Sequence, residues 1–310
     1  MFAPIGPPSS VTATVAPPTA PTSSARATTT FLPRQPRSTT TTAAPPPSPP
    51  SPPPVAPAST TTAVVELGPA PGINAVAWAV LDPRTDALLV GRNEQAPLPV
   101  GSLTKLLTAF VVLQAGDLDH VVTASGDLIV SADESSVGIY RGERLPRRAL
   151  LEAMLVASAN DAARVLANDL ARSEQDFAMH MNAAAAELGL TGTTAVNATG
   201  LDADGNRSTA RDMVVLADVL LADDSFAATV ARTSTALHGQ TFPTTNDLLT
   251  TYPGATGVKT GRTTGAGWCV VASAKRDGDR AIVAVLGAPT EAARDAGASA
   301  LLDWALSPRG

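Results

Sequence analysis

Three short runs hold residue types that could act together. Ser102 and Lys105 stand three apart in GSLTKLLTAFVVLQAG, a spacing that puts both on one face of a helix. A serine hydroxyl attacks only when a base takes its proton. A lysine amine can be that base if apolar burial or a nearby positive charge lowers its pKa. Leu103, Leu106, Leu107, Phe110 and Val111 offer the burial, and a helix start offers backbone N–H groups to a developing negative charge. The same spacing also fits a helix whose lysine snorkels to water.

Ser158 and Asn160 lie in LVASANDAARVLA, between two apolar helical segments. They could present a hydroxyl and an amide to a cleft, or simply mark a helix break. In PGATGVKTGRTTGAGWC, Lys259, Thr260 and Gly261 fall where a strand begins among glycines, a pattern suited to a substrate carboxylate and close backbone approach. An edge-strand lysine that blocks aberrant pairing would read the same way. The chain has only three lysines, Lys105, Lys259 and Lys275, and two of them fall in these runs.

The surrounding pattern predicts the elements that must carry these groups. A hairpin is expected from Ala75–Asp82 and Ala87–Arg92, and a helix from about Ser102 to Gln114. Pro146 reads as a first-turn proline for PRRALLEAMLVAS, with a further helix at about Ala162–Ala171. Ser173 with Asp176, Thr209 with Asp212, and Thr290 are expected N-caps, and Gly189 a stop. GWCVVASAK and RAIVAVLG read as strands joined by an Asp277-Gly278 turn, with a short strand on GVKTGR. Strands at both chain ends and helices between them imply an α+β fold. One antiparallel sheet is built from both ends and covered by helices, with a mainly helical region inserted.

Residues 1–62 hold 17 of the 27 prolines, and their only charges are Arg26, Arg34 and Arg37. This Pro/Thr/Ser-rich segment is expected to be disordered, and residues 63–310 to form the globular domain. The whole chain carries a formal charge of −6, and the globular part is more acidic still, which argues against a nucleic-acid partner. Cys269, the single cysteine, reads as strand core. Trp78, Trp268 and Trp304 read as core packing, and His120, His180 and His238 as surface or structural residues. Neither an export signal nor a membrane span is visible.

Ser-x-x-Lys, Ser-x-Asn and Lys-Thr-Gly, in that order, form the signature set of penicillin-binding proteins and serine β-lactamases. The run from Ala75 to Leu306 resembles the low-molecular-weight penicillin-binding D-alanyl-D-alanine carboxypeptidases, the S11 serine peptidases. LPVGSLTKLLTAFVVL, ASANDAARVLA and VNATGLDADGNRSTARDM carry the likeness, with the closing LLDWAL. The resemblance implies a β-lactamase/transpeptidase-like fold and a peptidoglycan stem peptide ending in D-Ala-D-Ala as substrate. It also implies acylation by β-lactams, with neither metal nor cofactor. It makes Ser102 the nucleophile, Lys105 its base and Ser158 a proton relay. Asn160 would bind the substrate amide, and Lys259 and Thr260 the terminal carboxylate. Gly261 would let substrate lie along the strand, and the backbone N–H groups of Ser102 and Arg262 would form an oxyanion hole.

Rival readings are a β-lactamase, a transpeptidase or endopeptidase, and a non-catalytic β-lactam-binding scaffold. Glu174 and Glu187 are the only glutamates between Asn160 and Lys259, and neither is followed by asparagine four residues on, as a class A β-lactamase would require. The substrate of such a family lies outside the cytoplasmic membrane. The native start is therefore expected to differ from Met1, with the Pro/Thr-rich segment reaching into the wall.

Overall fold

A computed structural model describes residues 67–308 except 86, 127 and 129. The expectation of disorder over 1–62 lies outside the described residues. The chain opens with strands β1 (Ala77–Asp82) and β2 (Ala87–Arg92). A short 3-10 turn, Gly101–Thr104, leads into α1 (Lys105–Ala115). Strands β3 (Val121–Thr123) and β4 (Arg144–Pro146) form a small ladder before α2 (Arg147–Val156), α3 (Asn160–Leu170) and α4 (Glu174–Glu187). Next come α5 (Ala210–Leu221), α6 (Asp224–Val230), the hairpin β5 (Ser234–Leu237) and β6 (Gln240–Pro243), and a single turn α7 (Leu248–Thr251). Strands β7 (Ala255–Thr263), β8 (Gly267–Arg276) and β9 (Asp279–Ala288) and the final helix α8 (Glu291–Ala305) close the fold. No helix among the described residues is long and apolar enough to cross a membrane.

The main sheet runs β2-β1-β9-β8-β7, so strands from the two ends of the chain meet at the β1–β9 pair, in register at Ala79 and Ala284. All its ladders are antiparallel. Side chains alternate across it, as the period-two geometry of a strand requires. Val283 and Val285 of β9, with Val270 and Ala272 of β8, pack under α8 against Leu301 and Leu302. Ile282, Ala284 and Leu286, with Cys269 and Val271, face the helical region on the other side. Lys259 of β7 stands opposite Val271, which places an edge-strand lysine beside the helical region. This is the expected α+β arrangement, with β7 as the edge nearest the inserted helices.

Local rules account for most boundaries. Ser173, Thr209 and Thr290 cap α4, α5 and α8 by accepting from the backbone N–H groups of Asp176, Asp212 and Ala293. Asp277 and Gly278 both take positive φ, as a two-residue hairpin turn demands. Pro146 is the residue before α2 rather than its first, because its extended ψ of 141° belongs to β4. The helix expected from Ala162 starts at Asn160, which brings that side chain onto the first turn. The β3–β4 and β5–β6 pairs have no counterpart in the sequence reading, because strands of three or four residues carry too little alternation to register.

Candidate active site

The apolar stretch around α1 buries Lys105 completely. A buried amine needs partners. Its Nζ lies 2.8 Å from Ser102 Oγ, 2.6 Å from Asn160 Oδ1 and 2.7 Å from the carbonyl oxygen of Thr199. Burial holds the ammonium form well below its ordinary pKa, and the positive charge of Lys259 pushes in the same direction. A neutral amine has two N–H groups and one lone pair. Asn160 Oδ1 and Thr199 O are acceptors, so they take the two N–H groups, and the lone pair is left for the hydroxyl of Ser102. The pair suspected from a three-residue spacing is therefore a hydrogen-bonded couple, and in its neutral form the amine would have a lone pair free to face the serine hydroxyl.

Lys259 is the second buried amine, with its Nζ 2.9 Å from Ser158 Oγ and 3.0 Å from the carbonyl oxygen of Thr260. Burial, with a contribution from the charge of Arg294, lowers its pKa to about 7. Ser158 occupies the turn between α2 and α3 at φ +60°, a left-handed conformation that glycine adopts more cheaply. A serine held there fixes a hydroxyl beside the Lys259 amine, which is the kind of local strain that active sites retain. All three motifs thus converge: Ser102 and Lys105 from the start of α1, Ser158 and Asn160 from the α2–α3 junction, and Lys259 with Thr260 from β7.

Glycines set the approach of β7 to the 3-10 turn. A Cβ on Gly261 would stand 2.5 Å from Val100 O and 3.1 Å from Ser102 N, and one on Gly101, at φ +56°, would stand 3.0 Å from Arg262 N. The backbones of Ser102 and Arg262 are therefore drawn close together, and Gly261 is required by this contact within the protein itself. A Cβ on Gly200 would meet Gly101 O at 2.0 Å, so the Thr199 carbonyl that holds Lys105 depends on another bare backbone.

Two clefts meet at Ser102. One, of about 300 Å³, is lined by Ser158, Thr245, Thr260, Trp268 and Arg294. The other, of about 420 Å³, is bounded by Asp133, Glu134, Asn160 and Asp202. The first has a basic wall: the guanidinium carbons of Arg262 and Arg294 lie 4.7 and 5.5 Å from the centre of the Trp268 ring. Trp268 is half-buried: it packs against the α8-side core as expected and also lines the cleft. Trp304 is also only half-buried, its Nε1 donating to Gly68 O, whereas Trp78 is core. Cys269 is buried as expected, and its burial pushes the thiol up to about 11. His120, His180 and His238 are exposed, with His238 paired to Glu143.

Several groups escaped the sequence reading. Thr245 Oγ1 lies 2.6 Å from Thr260 Oγ1. Arg294 is almost fully buried, with Nε on Asp295 and Nη2 shared between Glu291 and Asp295. Its signal was present, because it falls on the apolar stripe of α8 with Ala298, Leu301 and Leu302, where a charge needs a reason. Glu134 accepts from Asn160 Nδ2 at 2.7 Å and comes from a loop without periodicity.

The D-alanyl-D-alanine carboxypeptidase model of peptidase family S11 matches residues 64–290. The chain is 34% identical over 232 residues to the D-alanyl-D-alanine carboxypeptidase DacF of Bacillus subtilis, covering 72% of this chain and 60% of that protein. It is 36% identical over 256 residues to DacB2 of Mycobacterium tuberculosis, covering 78% and 86%. The structure of penicillin-binding protein 6B from Escherichia coli superposes with a TM-score of 0.74 at 31% identity, over 78% of this chain and 80% of that one. Fold, motif order and sequence agree, and the chain belongs to the S11 family of D-alanyl-D-alanine carboxypeptidases.

Proposed function

We propose that residues 63–310 act as a serine D-Ala-D-Ala carboxypeptidase that removes the terminal D-alanine from peptidoglycan stem peptides. The observation that carries this reading is the 2.8 Å couple between Ser102 Oγ and a Lys105 amine whose other two partners are acceptors. Neutral Lys105 takes the serine proton as Oγ attacks the carbonyl of the penultimate D-alanine. The backbone N–H groups of Ser102 and Arg262 hold the resulting oxyanion, an arrangement worth roughly 3–4 kcal/mol per donor in a protease. Ser158, poised between Lys259 and the cleft, passes a proton to the departing amine of the terminal D-alanine. Lys259, Thr260 and Arg294 form the basic end of the cleft that receives the terminal carboxylate, with Thr245 supporting Thr260. Asn160 binds the substrate amide, and water then hydrolyses the ester on Ser102.

The same couple attacks the strained amide of a penicillin, so β-lactams acylate Ser102 and inhibit the enzyme. Such a substrate places the working protein outside the cytoplasmic membrane. The test is to incubate the protein with a fluorescent penicillin and with a peptide ending in D-Ala-D-Ala, beside Ser102→Ala. Covalent labelling and D-alanine release are expected from the wild type and neither from the variant. A wild-type protein that does neither would overturn the proposal. Labelling without release would favour a β-lactam-binding scaffold.

A further inference from the structure

Glu134 lies in the loop between β3 and β4, outside the three motifs. Its side chain is only 10% exposed. Oε2 accepts from Asn160 Nδ2 at 2.7 Å and from Arg164 Nη2 at 3.2 Å, and Oε1 accepts from the Ser131 N–H at 3.2 Å. The loop itself is tied to α3. Asp161 accepts from the backbone N–H groups of Val137, Gly138 and Ile139 and from Ser136 Oγ, and Asn160 N–H donates to Ser135 O.

An amide side chain has two ends of nearly equal size, and its partners decide which way it points. A carboxylate only accepts, so the end of Asn160 that faces Glu134 must be Nδ2. Oδ1 is then committed to Lys105. Reversed, the amide would present an N–H to Lys105, and the amine's lone pair would be drawn to that donor instead of to the Ser102 hydroxyl. We propose that Glu134 is a positioning residue for acylation, fixing the Asn160 amide so that the lone pair of Lys105 is reserved for Ser102. The inference rests on the carboxypeptidase reading above. The charged groups that face Lys105 are Lys259 on β7, Glu134 on its loop, and Arg164 and Asp161 on α3. Of these, Glu134 and Asp161 favour the ammonium and Lys259 and Arg164 oppose it, so loss of the Glu134 charge moves the acid limb of acylation to lower pH.

The experiment measures acylation by a fluorescent penicillin against pH for wild type, Glu134→Gln, Asn160→Ala and the double variant. Glu134→Gln alone is expected to lower the plateau about tenfold, the range of a hydrogen bond to a charged group, and to shift the acid limb downward. In the Asn160→Ala background the further loss should shrink below about twofold, because the two residues act as one unit. A Glu134→Gln protein with the wild-type plateau and limb would overturn the proposal, and so would an equal tenfold loss in the Asn160→Ala background. Should Glu134→Gln fail to fold, Glu134→Asp decides: it keeps the charge but draws the carboxylate back by one methylene. Its plateau should fall while the acid limb stays in place, and a wild-type plateau there would again overturn the inference. A wild-type protein that takes no label at all would overturn the proposed function, and this inference with it.

Discussion

The two faces of the main sheet are covered in different ways. Under α8 the contact is built from Trp78, Val80, Val270, Val283, Val285, Leu301 and Leu302, with the buried guanidinium of Arg294 at its rim. On the opposite side an apolar core of similar make-up encloses Lys105, Thr108, Asn160, Asp161 and Lys259. The α8 face is held mainly by the hydrophobic effect, at roughly 25 cal/mol per Å² of apolar surface removed from water, with Tyr252 and Arg276 adding hydrogen bonds to Asp303 at its margin. The helical face carries groups whose burial opposes folding, because each charged form loses its hydration. That opposition has a use. On the proposed reading, the desolvation that penalises an ammonium at position 105 would make its amine available as a base. The comparison teaches that the site is paid for in stability on one face and supported by a dry core on the other.

The largest effect that tests this contrast is kinetic. Lys105→Met keeps the length of the side chain and removes the base. Acylation by penicillin is expected to fall about a thousandfold, within the range for loss of a general base. The folded protein should stay within about 2 kcal/mol of wild type, because relief of the amine's lost hydration is offset by the Asn160 Oδ1 and Thr199 carbonyl acceptors left without their donor. Stopped-flow labelling and denaturant unfolding read the two quantities separately. Labelling at the wild-type rate would show that Lys105 is not the base.

Lys259→Met turns the contrast into a pH dependence. The folded pKa of about 7 lies below the value of 10.5 for a free lysine. Between these pH values the unfolded chain holds a proton that the folded protein lacks, so folding stability rises with pH. The lysine therefore destabilises most below pH 7 and not at all near pH 10.5. The methionine variant should be more stable by about 3 kcal/mol at pH 6, after allowance for two lost hydrogen bonds, with the gain shrinking steadily toward pH 10. Unfolding curves of both proteins across that range measure it directly. A stability difference that does not change with pH would mean that Lys259 keeps an ordinary pKa.

The faces also differ in how far the sequence announces them. The strands on the α8 side, their Asp277-Gly278 turn and the Thr290 cap follow from alternation and turn chemistry, which are local rules. The three motifs were equally local, since each sits within four residues. What they touch was not. Lys105 is held by the carbonyl oxygen of Thr199, 94 residues away, and a carbonyl leaves no trace in the side-chain pattern. Glu134 and Thr245 come from loops whose course depends on tertiary packing. Gly200 and Gly261 were visible as glycines, but their reason, the close approach of two backbones, is a tertiary fact. Trp268 packs on the core as expected, but its second role was not legible, because whether the end of a sheet face is covered depends on tertiary packing. Beside Arg262 it lies open to the cleft.

The smallest effect concerns the turn that carries Ser158. Alanine normally outranks glycine in a folded chain, because glycine has more backbone freedom to lose. At φ +60° the order should reverse. Ser158→Ala and Ser158→Gly both remove the hydroxyl that Lys259 contacts, so that loss cancels between them. What remains is the strain of a Cβ in the left-handed region, set against the extra freedom of glycine in the unfolded chain. Ser158→Gly should be the more stable of the two by about 1 kcal/mol in denaturant unfolding, and both should lose D-alanine release to a similar extent. An alanine variant as stable as the glycine one would mean that the α2–α3 turn relaxes out of the left-handed conformation once the hydroxyl is gone. The Lys259–Ser158 hydrogen bond would then be what holds the turn, and the polar side of the sheet would impose the strain that the α8 side does without.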